Sequence, residues 1–266
     1  MRTVVIGSSQ GIGREIAKHL VDQGHEVWGV ARHRGQDCVS NHFTSCDVSV
    51  WQQVESLAEQ IGRKWSSVNA FINCAAIHGP IGPTINADPD EWLKAFQINI
   101  HGIFFSIKAF YKLLVGGSLQ GQGHSKFICF SGGGAASPRP FFSAYATSKA
   151  AAVRLVENIA EEWKAVPIDI NIVAPGALPT RLIEEVLNLG RNVVGEKELA
   201  QASKSKQNQQ ETMQKVLKMI SFLISKDSDG VSGKLIAAQW DPIDYIISHK
   251  HELAEDMFTL RRVVPS

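Results

Sequence analysis

Residues 2–13 read RTVVIGSSQGIG, a β-branched run that leads into a turn with three glycines. The next residues, 14–22, place apolar side chains at helical spacing, so the stretch predicts a strand, a glycine turn and a helix. Gly7, Gly11 and Gly13 let the backbone turn sharply and approach a ligand, and the free N–H groups of the helix N-terminus face a phosphate. An ordinary strand-to-helix turn needs one glycine, so three glycines indicate a phosphate-binding turn.

The rest of the chain alternates between strand patterns and helix patterns. Strands are predicted at residues 26–31, 42–46, 68–73, 126–130, 167–174 and 233–238. Helices are predicted at residues 50–64, 90–115 and 211–225, and a further helix carries residue 149 and runs to about 164. This order predicts an α/β fold with a Rossmann-type doubly wound sheet, mostly or wholly parallel, in a single domain. With 266 residues, 44% of them hydrophobic, the chain can bury such a core.

A second stretch, FSAYATSKAA at residues 142–151, carries a Tyr-x-x-x-Lys pair. This spacing puts Tyr145 and Lys149 one helical turn apart on the same face. A free phenol ionises near pH ~10, so its use near neutrality needs a shift of about three units, or roughly 4 kcal/mol. A cation about 4 Å away supplies that much at an effective dielectric constant near 20. The same pair can also lie on a solvated helix face, so other motifs must decide.

The glycine spacing Gly-x-x-x-Gly-x-Gly and the Tyr-x-x-x-Lys pair together resemble the classical short-chain dehydrogenase/reductase family. The resemblance extends from residue 3 to about residue 238. Further family motifs occur in the same order and spacing: Asp47-Val48, Asn73-Cys74-Ala75-Ala76, Asn99 and Pro175-Gly176. The resemblance implies an NAD(P)-binding catalytic domain at residues 1–240. It also implies hydride transfer between a nicotinamide and a small-molecule carbonyl or secondary alcohol.

Four residues carry the catalytic roles that the resemblance implies. Tyr145 would be the general acid or base, and Lys149 would lower its pKa and hold the nicotinamide ribose. Asn99 would support a water in the proton relay, although a merely packed asparagine is the alternative. Counting back from Tyr145 places Gly132 where the family has its catalytic serine. Either Ser131 fills that role through a local bulge, or a backbone N–H near Gly132 replaces it.

The resemblance also implies a set of cofactor contacts. These are Gly7, Ser9, Gln10, Gly11, Ile12, Gly13, Arg32, Asp47, Val48, Asn73, Ala75, Tyr145, Lys149, Pro175, Gly176 and Thr180. An acidic residue at the end of the second strand would hold a ribose 2′-hydroxyl, but Ala31 stands there and Arg32 follows. This favours NADP(H) and leaves NAD(H) open, since a loop arginine can also be simply solvated. Asp47 is further expected to cap the helix at 50–64.

Two segments fall outside these motifs. Residues 181–210 are expected to form a lid over the substrate, with Gly190 and Gly195 as hinges, or else a flexible loop. Phe141, Phe142, His78 and Leu182 are candidate pocket walls. Residues 241–266 form a C-terminal extension expected to pack on the same domain or on a neighbouring subunit.

The substrate is left open by the sequence. A carbonyl reductase, a 3-oxoacyl-carrier-protein reductase and a sugar carbonyl reductase share these motifs. A dinucleotide-binding sensor or scaffold that has lost catalysis is the alternative from another class, and Gly132 is the feature that supports it.

The composition of the chain indicates which partners and which cellular compartment to expect. A net charge of +1 gives no signal for nucleic acid, and no apolar stretch is expected to approach the ~20 residues of a membrane span. Strand residues begin at once and leave no room for a signal peptide, and the four cysteines have no metal or redox spacing. We therefore expect a cytoplasmic protein without a metal, and by the family resemblance a homodimer or homotetramer.

Overall fold

The computed structural model describes residues 1–36, 38–178, 180–205, 208–250, 252–253 and 256–262, without the side chains of residues 121 and 122. The strands are β1 (Arg2–Ile6), β2 (Glu26–Ala31), β3 (His42–Ser45), β4 (Ala70–Asn73), β5 (Ser125–Phe130), β6 (Ile168–Ala174) and β7 (Leu235–Ala237). The helices are α1 (Gly11–Asp22), α2 (Trp51–Lys64), α3 (Pro89–Phe96), α4 (Gly102–Gly117), α5 (Ser143–Glu162), α6 (Arg181–Leu189), α7 (Arg191–Val194), α8 (Glu196–Ser205), α9 (Gln209–Leu223) and α10 (Ile243–His249).

All seven strands join one sheet in the order β3-β2-β1-β4-β5-β6-β7, and every neighbouring pair is parallel. The predicted doubly wound parallel sheet is therefore confirmed. The strand order reverses between β1 and β4, where Ile6 pairs with Asn73. Ligands bind at such a switch point in open α/β sheets because the loops after the two strands diverge there.

Both faces of the sheet are covered by helices, and accordingly β1, β2 and β4 bury mostly apolar side chains. On one face Phe71 stacks on Phe127 with ring centroids 4.9 Å apart and also contacts Phe110 of α4 at 4.6 Å. On the other face α1 and α9 bury Ile16 and Ile220 against the sheet. Charged side chains inside the strands are paired, as in the buried ion pair between Lys126 of β5 and Asp169 of β6.

Helices α3 and α4 form one continuous helix because a π-helical turn, Gln97–His101, joins them. A second π turn, Ser118–Gln122, extends this helix, so the expected end near residue 115 was wrong. Gly117 allows this extension, since a Cβ there would overlap the Val68 carbonyl oxygen.

By length and composition, the stretch Pro89–Gln120 could cross a membrane, with a mean hydropathy of 1.3 in its most apolar window. The expectation that no apolar stretch reaches this length was therefore wrong. A core helix of a soluble protein passes the same test, and 44% of this window is buried inside the protein.

The C-terminal extension contacts the end of α5 and the segment before β7. The Leu260 N–H donates to Glu157 Oε1 at 2.7 Å, and Lys234 Nζ donates to the Met257 carbonyl at 3.0 Å. Residues 251, 254–255 and 263–266 of the predicted extension lie outside the described residues, as do residues 206–207 of the predicted lid.

Candidate active site

A cavity of about 400 Å³ opens at the switch point between β1 and β4. The glycine turn forms its floor, and two of its glycines have positive φ, +78° at Gly7 and +56° at Gly11. A Cβ on Gly13 would overlap the Gly7 carbonyl oxygen, so α1 packs as closely as it does only because residue 13 is glycine. Gln10 precedes α1 and its side chain makes no capping hydrogen bond, which leaves the first-turn N–H groups available to a phosphate.

Arginine side chains lie on one side of this cavity. Arg32, His33 and Arg34 follow β2 and line it, together with Asp47 and Val48 after β3. The cradle therefore combines a helix N-terminus, close-packed glycines and cationic residues. These features fit the phosphates of a nicotinamide dinucleotide.

Asp47 does not cap α2, and this prediction was wrong. Its Oδ1 accepts hydrogen bonds from the Ser49 N–H at 2.9 Å and the Ser49 Oγ at 2.6 Å. Val50, whose side chain cannot cap, precedes α2 instead. The carboxylate folds back on its own turn because the turn donors lie closer than the start of the helix.

Most predicted cofactor contacts line the cavity. They are Gly7, Ser9, Gln10, Gly11, Ile12, Gly13, Arg32, Asp47, Val48, Ala75 and Thr180. Asn73, Tyr145, Lys149, Pro175 and Gly176 do not line it. For Tyr145 the cause is α6, whose residues Leu182 and Glu185 line the cavity and whose apolar face packs towards the phenol.

The predicted lid is helical in its described part. Gly190 and Gly195 separate α6, α7 and α8 and have φ values of +72° and +82°. Val186, Val194 and Ala202 of these helices form a small apolar cluster with Phe142 and Tyr145. We name residues 181–205 the lid; it covers the phenol and leaves Tyr145 only 6% exposed.

The candidate pocket walls have different environments. Leu182 lines the cavity, and Phe141 is partly exposed beside Gly195. Phe142 is fully buried, and the His78 ring contacts both it and Tyr145, edge-on to the phenol at 4.8 Å.

Tyr145 and Lys149 lie one turn apart on α5, as predicted from their spacing. Lys149 Nζ donates to the Phe130 carbonyl at 2.7 Å and lies 5.5 Å from the centroid of the Tyr145 ring. Burial lowers the pKa of Lys149 to about 8, because the charged ammonium loses its hydration. Lys149 thus lies near the phenol, but its charge is costly at this depth.

The expectation that Lys149 holds the phenol's pKa down is not met in the protein alone. Burial raises the pKa of Tyr145 to about 12, and the nearby cation that opposes this rise is Arg139. The reason is that desolvation of a fully covered phenolate outweighs the attraction of neighbouring charges.

Asn99 lies in the π turn between α3 and α4 and is fully buried. Its Oδ1 accepts from the Ile77 N–H at 3.0 Å, and its Nδ2 donates to the Ile77 carbonyl and to Ser148 Oγ, both at 2.9 Å. A π turn widens the helix by one residue and so directs this amide inward. Asn99 therefore joins the loop after β4 to α5 between Tyr145 and Lys149.

Gly132, and not Ser131, faces the phenol. A Cβ on Gly132 would overlap Tyr145 Oη, whereas Ser131 Oγ is buried and has no hydrogen-bond partner within the described part of the chain. The Ser131 N–H donates to the Val173 carbonyl at 2.8 Å and so continues the strand pairing without a bulge. The bulge that would bring Ser131 to the phenol is therefore absent at this point of the described structure.

The sequence interpretation missed three charged residues of the site: Arg139, Glu185 and Glu198. Arg139 pairs with Glu198, and the His78 ring pairs with Glu185 at 3.2 Å. Nothing in their local sequence distinguishes them from surface charges, since each partner is at least 59 residues away. Within the described residues, no group of three or more His, Cys, Asp or Glu is arranged to hold a metal.

A family model described as enoyl-(acyl carrier protein) reductase matches residues 6–239. A short-chain type dehydrogenase/reductase of Picea abies is 27% identical over 254 residues, which cover 88% of this chain and 89% of the relative. The chain belongs to the short-chain dehydrogenase/reductase family. It is therefore an oxidoreductase.

Two further proteins are similar to this member of the family. A chloroplastic NADPH-dependent aldehyde reductase-like protein of Arabidopsis thaliana is 26% identical over 257 residues, which cover 88% of this chain and 90% of the relative. The aldohexose dehydrogenase of Thermoplasma acidophilum, solved in ligand-free form, superposes with a TM-score of 0.76 at 23% identity. That match covers 89% of this chain and 91% of the solved one and shows the shared fold.

Proposed function

We propose that this oxidoreductase uses NADP(H) to transfer a hydride between the nicotinamide and a carbonyl or secondary alcohol, with Tyr145 as general acid or base. The observation that carries the proposal is the 2.9 Å hydrogen bond between Asn99 Nδ2 and Ser148 Oγ. It ties the buried π turn to α5 at the point between Tyr145 and Lys149. A dinucleotide-binding protein without chemistry has no need for this buried polar connection.

The residues of the chain divide the work as follows. Tyr145 gives a proton to the carbonyl oxygen, or removes one from the alcohol in the reverse direction. Lys149 would hold the nicotinamide ribose, and Asn99 would support the water through which the phenol regains or loses that proton. The backbone near Gly132, rather than Ser131, is the group that faces the reacting oxygen, because Gly132 borders Tyr145 Oη. When bound, the nicotinamide supplies the hydride, and the lid excludes water from it.

NADP(H) is the proposed cofactor because Arg32, His33 and Arg34 line the cavity where β2 ends and Ala31 replaces an acidic residue. The predicted contacts that line the cavity would hold the diphosphate and the adenosine. Tyr145 is covered by the lid and would reach the nicotinamide half after the lid moves. Asn73, Lys149, Pro175 and Gly176 are the other residues that we propose for that half. The Arabidopsis relative, named as NADPH-dependent, supports this choice.

The proposed substrate is an aldehyde or a ketone. Within that class there are three candidates. They are a simple carbonyl, a 3-oxoacyl thioester and a keto sugar. The family description names an enoyl thioester reductase, so a C=C substrate belongs in the same comparison. We propose a homodimer or homotetramer in the cytoplasm as its working form.

A non-catalytic dinucleotide sensor is the second candidate, and one observation favours it. Gly132 leaves no hydroxyl beside the phenol where the family has its serine. Retention of Tyr145, Lys149 and Asn99 favours the enzyme, because a sensor has no need for these three residues together.

The test begins with the binding of NADPH and of NADH, each monitored through the tryptophan fluorescence of the protein. NADPH oxidation is then measured against ketones, aldehydes, 3-oxoacyl and enoyl thioesters and keto sugars. We expect turnover with at least one carbonyl and a loss of about 10²-fold or more in Tyr145→Phe with NADPH binding retained. Tight NADPH binding without turnover on any substrate would favour the sensor, and turnover of the enoyl thioester alone would overturn the carbonyl assignment.

A further inference from the structure

A cation other than Lys149 lies beside the phenol of Tyr145. The guanidinium carbon of Arg139 is 3.8 Å from the centroid of the Phe142 ring and 5.7 Å from that of Tyr145. Arg139 comes from the loop between β5 and α5, next to Gly133 and Gly134, and its side chain is only 14% exposed. An arginine stacked on the aromatic layer of an active site and shielded from water acts on its neighbours with little screening.

The partner of Arg139 comes from the lid. Arg139 Nε and Nη2 donate to the two carboxylate oxygens of Glu198 on α8, at 3.1 and 2.8 Å. This two-bond geometry is the strongest that arginine and a carboxylate form. Glu198 is only 19% exposed, so the pair is largely removed from solvent. The ion pair therefore joins the lid to the loop between β5 and α5 that carries Arg139.

Other charged or titratable groups face Tyr145 from each neighbouring element. Lys149 lies on its own helix, and His78 comes from the loop after β4 with Glu185 of the lid behind it. Burial lowers the pKa of His78 and keeps the ring neutral, so His78 donates from Nδ1 to the Glu185 carboxylate. Burial also lowers the pKa of Lys149 to about 8, whereas a guanidinium stays charged throughout.

We propose that Arg139 is a positioning residue that favours the ionised form of Tyr145, and that Glu198 weakens this effect when the lid is closed. The geometry supports both parts, because the guanidinium lies over the rings of Phe142 and Tyr145 while its other edge is paired with the lid. Lid movement that parts Glu198 from Arg139 strengthens the field on the phenol. The acidity of the general acid is thereby coupled to the position of the lid. This inference rests on the proposed role of Tyr145.

The direct test is ¹³C NMR of protein labelled at the tyrosine ring carbon that bears the hydroxyl. The chain has three tyrosines, and Tyr145→Phe identifies the signal of interest. The ionised fraction of Tyr145 is followed up to pH 11 in wild type, Arg139→Met, Glu198→Gln and the double variant, each checked for folding by circular dichroism. No cofactor or substrate is needed for this measurement.

The two single variants are expected to shift the phenol's pKa in opposite directions. Arg139→Met removes the cation and leaves the Glu198 carboxylate unpaired, so the pKa rises by about one unit. Glu198→Gln leaves the guanidinium unpaired, so the pKa falls by a similar amount. The double variant removes an ion pair with no net charge, so its Tyr145 pKa is expected to lie close to that of wild type. The difference between its pKa shift and the sum of the two single shifts measures the coupling between Arg139 and Glu198.

A purely structural clamp predicts a different result. Loss of either partner would then loosen the lid and hydrate Tyr145, and since burial raises this pKa, both variants would lower it. A fall or no change in Arg139→Met therefore overturns the proposal. If Arg139→Met does not fold, Arg139→Gln replaces it with the same expected rise and the same overturning result.

Turnover separates this inference from the proposed function. In alcohol oxidation, the pH at which kcat reaches half its maximum is expected to rise in Arg139→Met and to fall in Glu198→Gln. If the wild type shows no turnover, the proposed function fails, while the NMR titration still decides the electrostatic role of Arg139. If turnover is found and the NMR shifts run in the same direction, only the inference about Arg139 fails.

Discussion

Gly132 and Tyr145 are packed so closely that a Cβ on the glycine would overlap the phenol oxygen. The phenol cannot retreat easily, because the lid cluster buries it from the other side. The place of the family's catalytic serine is therefore filled by the phenol itself. This contact has direct consequences for substitution at Gly132.

Gly132→Ala and Gly132→Ser are expected to destabilise the protein by about 1–3 kcal/mol, because an added Cβ must displace a buried ring or the end of β5. Gly132→Ser is expected to lower turnover rather than to restore the family's arrangement. Thermal unfolding and NADPH oxidation measure the two effects.

Gly133→Ala is the matched control for this prediction. Its Cβ would meet Arg139 Cδ at 3.5 Å, which is an ordinary contact, and neither glycine has a positive φ. The control is expected to unfold within a few degrees of wild type. A Gly132→Ser variant with wild-type stability and higher turnover would contradict the packing argument.

Cofactor choice is expected to respond to the end of β2. Ala31→Asp combined with Arg32→Ala places a carboxylate near the ribose and removes a cation that lines the cavity. The preference for NADPH over NADH, measured by fluorescence titration, should fall by at least about tenfold, or 1.4 kcal/mol. Arg63→Ala on the exposed face of α2 is the control and should leave the ratio unchanged. An unchanged ratio in the double variant would assign the preference to other residues, with Arg34 the next to replace.

The sheet could be predicted almost completely from sequence because its signals are local. Strand β2 has the predicted bounds, and the glycine turn after β1 needs only its own residues to form. The position of Asn99 inside a helix was also predicted, but the π turn that directs it inward was not. A π turn depends on how the helix packs against the loop at Ile77, which no local pattern records.

The electrostatics of the site could not be predicted from spacing. The Tyr-x-x-x-Lys spacing places Lys149 near the phenol but says nothing of how deeply both are buried. Depth decides the outcome, because it raises the pKa of Tyr145 and lowers that of Lys149. The burial of Tyr145 comes in part from a lid more than thirty residues away in sequence, which also supplies Glu198, the partner of Arg139.

Asn99→Leu is expected to cost about 2–4 kcal/mol of unfolding free energy. The substitution keeps the branching of the side chain but enlarges it, and it leaves the partly buried N–H and C=O of Ile77 without the amide that pairs them. Gln97→Ala in the same π turn is the control, because Gln97 is exposed and should change stability by less than about 0.5 kcal/mol. Urea unfolding of both variants measures the difference. Equal stabilities would show that these hydrogen bonds contribute nothing net.

The buried Lys149 is expected to make the unfolding free energy depend on pH. Its pKa falls from an ordinary value of 10.5 to about 8 on folding. Between these values the unfolded chain binds a proton at Lys149 that the folded protein does not, so stability rises with pH across this window. Below pH 8 both states are protonated, and the cost of burying the ammonium is complete and constant.

Comparison with Lys149→Met isolates this effect, because all other titrating groups are shared. The unfolding free energy of wild type minus that of Lys149→Met should be flat below pH 8. It should then rise by up to about 1.4 kcal/mol per pH unit above it. Urea unfolding at pH 6.5, 7.5, 8.5 and 9.5, at one protein concentration, covers the lower part of this window. Ionisation of the unfolded Tyr145 near pH ~9.5 is common to both proteins and cancels in the difference. A difference that stays flat up to pH 9.5 would mean that Lys149 keeps its proton in the folded protein, and its ammonium would then be available to the phenol after all.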